Sequence, residues 1–155
     1  MEVDFDEIIL NINRGNYHYI GSGSGRRVFD LDNGYVIKYA KNFKGIAQNK
    51  VEYQISSTES SELFAKITQI SDDFRMVIME KADRITNISV VWKYFNVENN
   101  LELFHLKELE EIAAKYNLLF VDLRRPINWG IVKDRPVIID YGFTREVRRK
   151  YYTLF

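Results

Sequence analysis

The chain has 155 residues, of which 46% are hydrophobic and 14% aromatic, enough to build one ordinary domain or two small lobes around a packed core. Lysine plus arginine and aspartate plus glutamate both number 22, and this balance argues against a general nucleic-acid binder, which needs a positive field. Cysteine is absent, which excludes disulfides and thiolate metal sites. The two histidines, His18 and His105, are too far apart to indicate a zinc site.

The first half of the chain is predicted to be rich in β-strands. The pattern of apolar residues and turn signals predicts, in chain order, a short helix or strand at 5–12, strands at 17–20, 27–31 and 35–40, a helix at 47–56, and two more strands around the turn at 71–73. A glycine turn over 21–25 joins the first two strands, and "DNG" at 32–34 is a hairpin signal.

The second half is predicted to be mostly helical. Apolar residues recur at helical spacing and predict one amphipathic helix over 100–116, with Leu101, Phe104, Leu109, Ile112, Ala113 and Tyr116 on its apolar face. The segment "DLRRPINWG", a hairpin around "KDRP", the strand "VIID" and a basic terminal helix "TREVRRKYYTLF" follow. This order predicts an α+β fold with a hinge near 80–84.

The glycine turn "GSGSGRRV" lies between two strands. This position argues against a Rossmann fingerprint, whose glycines open a helix, and the segment lacks the Gly-Lys-Ser/Thr ending of a Walker loop. Glycines between strands can fold over a phosphate chain, because backbone N–H groups can approach it closely. The alternative is an ordinary flexible hairpin.

Lys38 shares one strand face with Val36 and Ala40. A lysine among apolar neighbours is costly unless it is paired, and Glu52, 14 positions later on the predicted helix, is a candidate partner. The alternative is an edge-strand lysine that points to water.

Three further polar residues, Asp122, Asn128 and Asp140, each lie near the end of an apolar segment. Two carboxylates and an amide so placed indicate a site more than a solvated surface. For Asp140, the alternative is a buried strand that ends at an aspartate-containing turn.

These parts in this order resemble the protein-kinase fold, from about Tyr19 to Phe143. The resemblance implies a five-stranded antiparallel N-lobe with one helix over 1–82, and a much reduced, mostly helical C-lobe over 83–155. It implies that Gly21, Gly23 and Gly25 cover the phosphates of ATP and that Lys38 contacts them while paired with Glu52. Met79 would be the gatekeeper, and Glu80 to Ala82 would offer backbone groups to adenine. The full implied ATP-binding set is Gly21, Ser22, Gly23, Ser24, Gly25, Val28, Lys38, Glu52, Met79, Glu80 and Ala82.

In the second lobe, the resemblance implies that Asp122 is the catalytic-loop aspartate. Asn128 and Asp140 would hold Mg²⁺ between phosphates, since hard oxygen ligands suit that ion. Arg124 or Arg125 would neutralise charge on the transferring phosphate, and Arg124 is taken as the catalytic one.

The sequence also departs from the kinase pattern. Five residues separate Asp122 from Asn128, where kinases have four. The third glycine comes one position early, with Arg26 in its expected place, and Phe120-Val121 replaces the usual His-Arg. Only 13 residues follow Gly142, too few for an activation segment and a peptide-binding lobe. The segments GSGSGR…V and NWG…IDYG resemble those of compact phage and bacterial kinase-like proteins.

Three functions remain open at this point. The first is an ATP-dependent kinase that phosphorylates a protein hydroxyl or itself. The second is a non-catalytic kinase-like module, a pseudokinase, that regulates a protein partner. The third is a small-molecule phosphotransferase of the aminoglycoside-kinase type.

Location and partners follow from broader features. The acidic start lacks the basic region of a secretory signal, and no apolar run reaches the length of a membrane span, so we expect a cytoplasmic protein with no membrane or nucleic-acid partner. Trp129 and the apolar face of the helix 100–116 have only the short tail to shield them. We therefore expect an exposed apolar patch that supports a homodimer or a protein partner. The alternative is a tail that packs back on a self-sufficient monomer.

Overall fold

The computed structural model of the protein describes residues 3–151. These residues form two compact units. Unit 1 contains the chain up to Glu59 together with Lys66–Lys81, and unit 2 contains Ser60–Ala65 and the chain from Ala82 onward. The predicted tail residues 152–155 lie outside the described part.

Unit 1 is built on a five-stranded antiparallel sheet, as predicted. Its strands are β1 (His18–Ser22), β2 (Arg26–Asp30), β3 (Tyr35–Ala40), β4 (Ile67–Ile70) and β5 (Met76–Glu80), in the spatial order β1-β2-β3-β5-β4. The hairpin between β2 and β3 turns where Asp32 and Gly34 have φ angles of 59° and 90°. Aspartate and glycine tolerate such left-handed backbone, which is why the "DNG" signal predicted this turn.

Two helices belong to unit 1, α1 (Phe5–Asn13) and α2 (Phe43–Thr58). Helix α1 buries its apolar residues in a cluster with one face of the sheet, formed by Ile8, Ile12, Phe29, Ile37, Met76 and Ile78. Because side chains alternate along a strand, Lys38 projects from the face opposite to Ile37. That second face contacts α2.

Helix α2 is longer than the predicted 47–56, because the side chain of Asn42 caps its start by accepting a hydrogen bond from the Gly45 N–H at 3.2 Å. The prediction used Val51 and Ile55 as the apolar face, but Val51 is only half-buried. The buried residues are mostly polar or small, namely Gly45, Gln48, Asn49, Glu52 and Ile55. A polar face that is buried needs hydrogen-bond partners, so this face is a candidate for a functional role.

Unit 2 combines short helices with a small antiparallel sheet. Its elements are β6 (Asp83–Arg84), α3 (Ser89–Tyr94), α4 (Asn100–Phe104), α5 (Lys107–Tyr116), α6 (Phe120–Leu123), a 3-10 turn (Pro126–Asn128), β7 (Trp129–Val132), β8 (Arg135–Ile138) and α7 (Arg145–Tyr151). The strands lie in the order β6-β7-β8. The predicted hairpin around "KDRP" is confirmed, and both Lys133 and Asp134 at its tip have positive φ.

The single helix predicted over 100–116 is wrong, since α4 and α5 are separate helices. Leu106 has extended backbone, with φ −62° and ψ 131°, which no helix can continue through. Leu101 is 70% exposed, while Leu103 is fully buried. The apolar spacing runs through the break because residues of both helices are buried, Leu103 in α4 and Leu109 and Ile112 in α5, so periodicity alone could not detect it.

The expectation that Trp129 lacks cover is also wrong. Its side chain is 0% exposed, and its indole N–H donates a hydrogen bond of 2.8 Å to the carbonyl oxygen of Leu123. In the tail helix, Val147 is buried. The homodimer expectation stays a prediction that light scattering can test. Within residues 3–151, no helix has both the length and the apolar character needed to cross a membrane.

Candidate functional site

A buried ion pair joins β3 to α2. The ammonium nitrogen of Lys38 lies 3.0 and 3.2 Å from the two carboxylate oxygens of Glu52. The side chains are 7% and 0% exposed. The pairing that the sequence predicted is therefore present, and the alternative of an edge lysine pointing to water is wrong.

Arg26 is a second cationic partner of Glu52. Its Nη1 and Nη2 donate hydrogen bonds of 2.6 and 2.9 Å to Oε1 and Oε2 of the carboxylate, in a two-pronged arrangement. Sequence reasoning noted Arg26 only as a departure in the glycine turn. The sheet register accounts for the contact, because Arg26 stands opposite Ala40, and Ala40 shares its strand face with Lys38.

Asn49, one turn before Glu52 on α2, extends this network. Its Oδ1 accepts a hydrogen bond of 3.0 Å from Arg26, and its Nδ2 donates one of 2.8 Å to the carbonyl oxygen of Phe74. Asn49 is 0% exposed. The polar face of α2 is thus satisfied by groups of unit 1.

The charge state of Glu52 follows from this environment. Burial by itself would raise the pKa of the carboxyl group, because desolvation disfavours the charged form. The positive charges of Arg26 and Lys38, with their hydrogen bonds, outweigh burial and lower the pKa to about 2. Glu52 is therefore ionised at neutral pH.

Hydrogen bonds to nearby residues hold the glycine turn over 21–25 in place. Gly21 and Ser22 lie in β1, and exposed Gly23 and Ser24 form the tip with Gly25. The Gly23 N–H donates to the Arg26 carbonyl oxygen at 2.9 Å.

The segment after β3 supplies further hydrogen bonds to this turn. The backbone N–H of Lys41 donates to the Gly25 carbonyl oxygen at 2.7 Å, and its ammonium donates to the Gly23 carbonyl oxygen at 2.7 Å. Gly25 packs against Gly45 of α2 so closely that a Cβ at position 45 would overlap the Gly25 carbonyl oxygen. Glycine is required at position 45 by this contact.

Several residues assigned to adenine binding are buried in the sheet or use their backbone N–H groups in hydrogen bonds within unit 1. Met79 is 1% exposed in β5, and Val28 is half-buried in β2. The backbone N–H groups of Glu80 and Lys81 donate to the carbonyl oxygens of Lys66 and Gly34, both at 2.9 Å. These two N–H groups therefore already have acceptors within unit 1, and the expectation that Glu80 to Ala82 offer backbone groups to adenine stays a prediction. Ala82 belongs to unit 2.

In unit 2, the predicted loop residues lie on short ordered elements. Asp122 lies in α6 and Asn128 ends the 3-10 turn. Asp140 follows β8, and the adjacent Ile139 N–H donates to the Asn128 carbonyl oxygen at 2.9 Å. Asn128 Nδ2 donates a hydrogen bond of 2.8 Å to the Asp122 carbonyl oxygen.

Asp122 has an unusual carboxyl group. Its Oδ2 is enclosed and accepts no hydrogen bond from the residues that the structure describes. Burial raises the pKa of Asp122, and the charge of Asp140 raises it further, against the opposing charges of Arg125 and Arg148. Arg148, on the tail helix α7, was missed by sequence reasoning, since nothing local relates it to Asp122.

Arg124, the arginine that the prediction preferred, and Arg125 are both exposed. The charge of Arg125 lowers the pKa of Asp122, and this favours Arg125 as the candidate for charge neutralisation.

Asn128 and Asp140 offer suitable atoms for a hard cation. Because Asn128 Nδ2 donates to Asp122, Oδ1 is the amide atom that can act as a ligand, and Asp140 adds a carboxylate. In residues 3–151, no group of three or more His, Cys, Asp or Glu side chains is arranged to hold a metal ion. This donor set fits Mg²⁺ carried by phosphate oxygens, since that ion commonly uses one or two protein ligands.

Tyr141, in the place of the usual kinase phenylalanine, anchors the segment that follows β8. Its hydroxyl donates a hydrogen bond of 2.6 Å to the Ala65 carbonyl oxygen, and its ring centroid lies 4.7 Å from that of Phe64. This anchoring fixes the backbone beside Asp140.

The order of the elements, the glycine turn between β1 and β2 and the Lys38–Glu52 pair are those of the kinase pattern. The fold is protein-kinase-like. Neither a family model nor a curated protein matches the sequence.

Solved structures show similarity at low sequence identity. The ternary complex of streptomycin, ATP and APH(2")-IIa is 18% identical over 92% of this chain and 72% of that chain, with a TM-score of 0.49. ADP-bound aminoglycoside phosphotransferase APH(2'')-Ib is 17% identical over 88% and 70%, with a TM-score of 0.49. The PknI kinase domain of Mycobacterium tuberculosis is 15% identical over 81% and 59%, with a TM-score of 0.47.

Proposed function

We propose that the protein binds ATP together with Mg²⁺ and transfers the γ-phosphate to a hydroxyl group, either of a protein or of itself. The observation that best supports this proposal is the buried Lys38–Glu52 ion pair at 3.0 Å. A buried lysine held by an ionised carboxylate keeps its charge and is preorganised for phosphate oxygens.

Unit 1 would supply the phosphate-binding groups. The ammonium of Lys38 attracts the α- and β-phosphates as a point charge. Apart from the Gly23 N–H, which donates to the Arg26 carbonyl oxygen, backbone N–H groups of the glycine turn can approach phosphate oxygens because the glycines carry no side chains. Val28 and Met79 would offer apolar contact to the base.

Unit 2 would supply the chemistry at the γ-phosphate. Asp122 would orient the attacking hydroxyl and accept its proton, as the new bond to phosphorus forms and the bond to the bridging oxygen of ADP breaks. A raised pKa makes the Asp122 carboxylate a stronger base. Arg125 would offset charge on the transferring group. Asn128 and Asp140 would hold Mg²⁺, which supplies charge neutralisation on the phosphates.

A second candidate function is a non-catalytic module that binds nucleotide and regulates a protein partner. One observation favours it, namely the extra residue between Asp122 and Asn128. Both candidates bind nucleotide, and they differ in whether phosphoryl transfer follows.

Incubation of the purified protein with Mg²⁺ and γ-labelled ATP distinguishes these candidates. Label on the protein, absent from Asp122→Asn and present in Asp134→Asn, supports a kinase. Asp134 is a matched control because it is exposed at a hairpin tip and has a φ of 65°, which asparagine also adopts. Binding without label or released phosphate supports the module, and no binding at millimolar ATP contradicts both candidates.

A further inference from the structure

Glu52 has two cationic partners, and their geometry differs. The guanidinium of Arg26 makes two parallel hydrogen bonds of 2.6 and 2.9 Å to the carboxylate. The ammonium of Lys38 lies at 3.0 and 3.2 Å from the same two oxygens. A two-pronged guanidinium contact is the stronger and more directional arrangement, so Lys38 is the looser of the two partners.

We propose that Arg26 is a positioning residue that neutralises Glu52, so that Lys38 can attract an anionic ligand while it stays paired with the carboxylate. Removing the sole cationic partner of a buried carboxylate is strongly destabilising. Glu52 is 0% exposed, so a lysine that alone neutralised it would divide its charge between the carboxylate and a phosphate. Arg26 removes this conflict, because its guanidinium also balances the carboxylate charge.

The anchoring of Arg26 supports this role. The Arg26 backbone opens β2 and its carbonyl oxygen accepts the Gly23 N–H of the glycine turn. Its side chain also donates to Asn49, which in turn donates to the Phe74 carbonyl oxygen. Arg26 therefore ties the glycine turn to helix α2 and to the turn between β4 and β5.

These contacts all lie in unit 1. Helix α2 and its carboxylate are held by groups of that unit. The part of the inference that concerns the phosphate rests on the proposed function, whereas the ranking of the two cations does not.

Urea unfolding without nucleotide tests whether Arg26 is a stronger partner of Glu52 than Lys38 is. The variants are Arg26→Met, Arg26→Lys and Lys38→Met. Lys107→Met is the matched control, since that side chain is 90% exposed. We expect Arg26→Met to lower the folding equilibrium constant at least about tenfold more than Lys38→Met does, because it removes the closer partner of a buried charge. Arg26→Lys should recover part of this loss. A Lys38→Met variant that loses as much as Arg26→Met overturns the ranking.

The role toward the ligand is tested with magnesium-ATP and a double variant. In Arg26→Met, Lys38 becomes the main cation on Glu52, and we expect the dissociation constant for magnesium-ATP to rise about tenfold, a typical coupling. Adding Glu52→Gln removes the charge that retains Lys38 and should restore much of the affinity. A purely structural role for Arg26 predicts no recovery, so a folded double variant that binds as weakly as Arg26→Met overturns the proposal.

Failure of the proposed function gives a different result. If the wild-type protein does not bind magnesium-ATP, the nucleotide-site proposal fails and so does the ligand half of this inference. The unfolding comparison still decides whether Arg26 is the resident partner of Glu52. Circular dichroism of each variant separates lost binding from lost folding.

Discussion

The side-chain amide of Asn128 donates a hydrogen bond of 2.8 Å to the backbone carbonyl oxygen of Asp122. Five residues separate the two, and the 3-10 turn Pro126–Asn128 folds them compactly. Because the acceptor is a backbone atom, this contact does not depend on the Asp122 carboxyl group. The carboxyl group can therefore be changed without removing the bond that orders the segment.

Asp122→Asn should separate binding from chemistry. We expect phosphoryl transfer to fall by about 10²–10⁴-fold, the usual cost of losing a positioned base, while the affinity for magnesium-ATP is retained. Single-turnover transfer from labelled ATP and a separate binding titration measure the two effects. A variant that transfers phosphate at the wild-type rate would show that Asp122 has no such role.

Magnesium-ATP should raise the melting temperature, because a ligand that binds only the folded state stabilises it, by about 2.7 kcal/mol at 100 times its dissociation constant. Lys38→Ala and Asp140→Ala should reduce this shift. The exposed residues Lys107 and Asp72, each replaced by alanine, are the matched controls. An unchanged melting temperature of the wild-type protein at millimolar magnesium-ATP would remove the main support for a nucleotide site.

Glu52 should make stability depend on acid pH. Its pKa is lowered from 4.5 to about 2 in the folded protein, so the folded state binds fewer protons than the unfolded state between these values. The contribution is present above pH 4.5 and is lost as pH falls toward 2.

Urea unfolding of the wild type and of Glu52→Gln across this acid range measures that contribution, with exposed Glu98→Gln as the control. The free-energy difference between wild type and Glu52→Gln should shrink as the pH falls. A difference that stays constant with pH would show that the carboxylate charge does not contribute.

Gly45→Ala should destabilise unit 1, although alanine favours helices. The added Cβ would overlap the Gly25 carbonyl oxygen, and overpacking of this kind costs about 1–3 kcal/mol. Gly23→Ala is the control, because a Cβ there has no neighbouring atom within 4 Å. Equal unfolding midpoints for the two variants would contradict a close Gly25–Gly45 contact.

The strands of unit 1 and their turns were determined by local sequence. Strand alternation and the left-handed backbone of "DNG" depend on neighbouring residues, so the succession of β1 to β5 along the chain could be predicted from them. The Lys38–Glu52 pair was predicted for a related reason, since a lysine on a buried strand face requires a carboxylate.

Tertiary packing decided the features that depend on distant groups. Arg26 could be recognised as a partner of Glu52 only once β2 lay beside α2, because a guanidinium and a carboxylate 26 positions apart have no local relation. The pKa of Asp122 is raised by burial and by the charge of Asp140, against the opposing charge of Arg148. These groups are distant in sequence, and only folding brings them near Asp122. The burial of Trp129 also depends on residues distant in sequence, so it could not be predicted from the neighbouring residues alone.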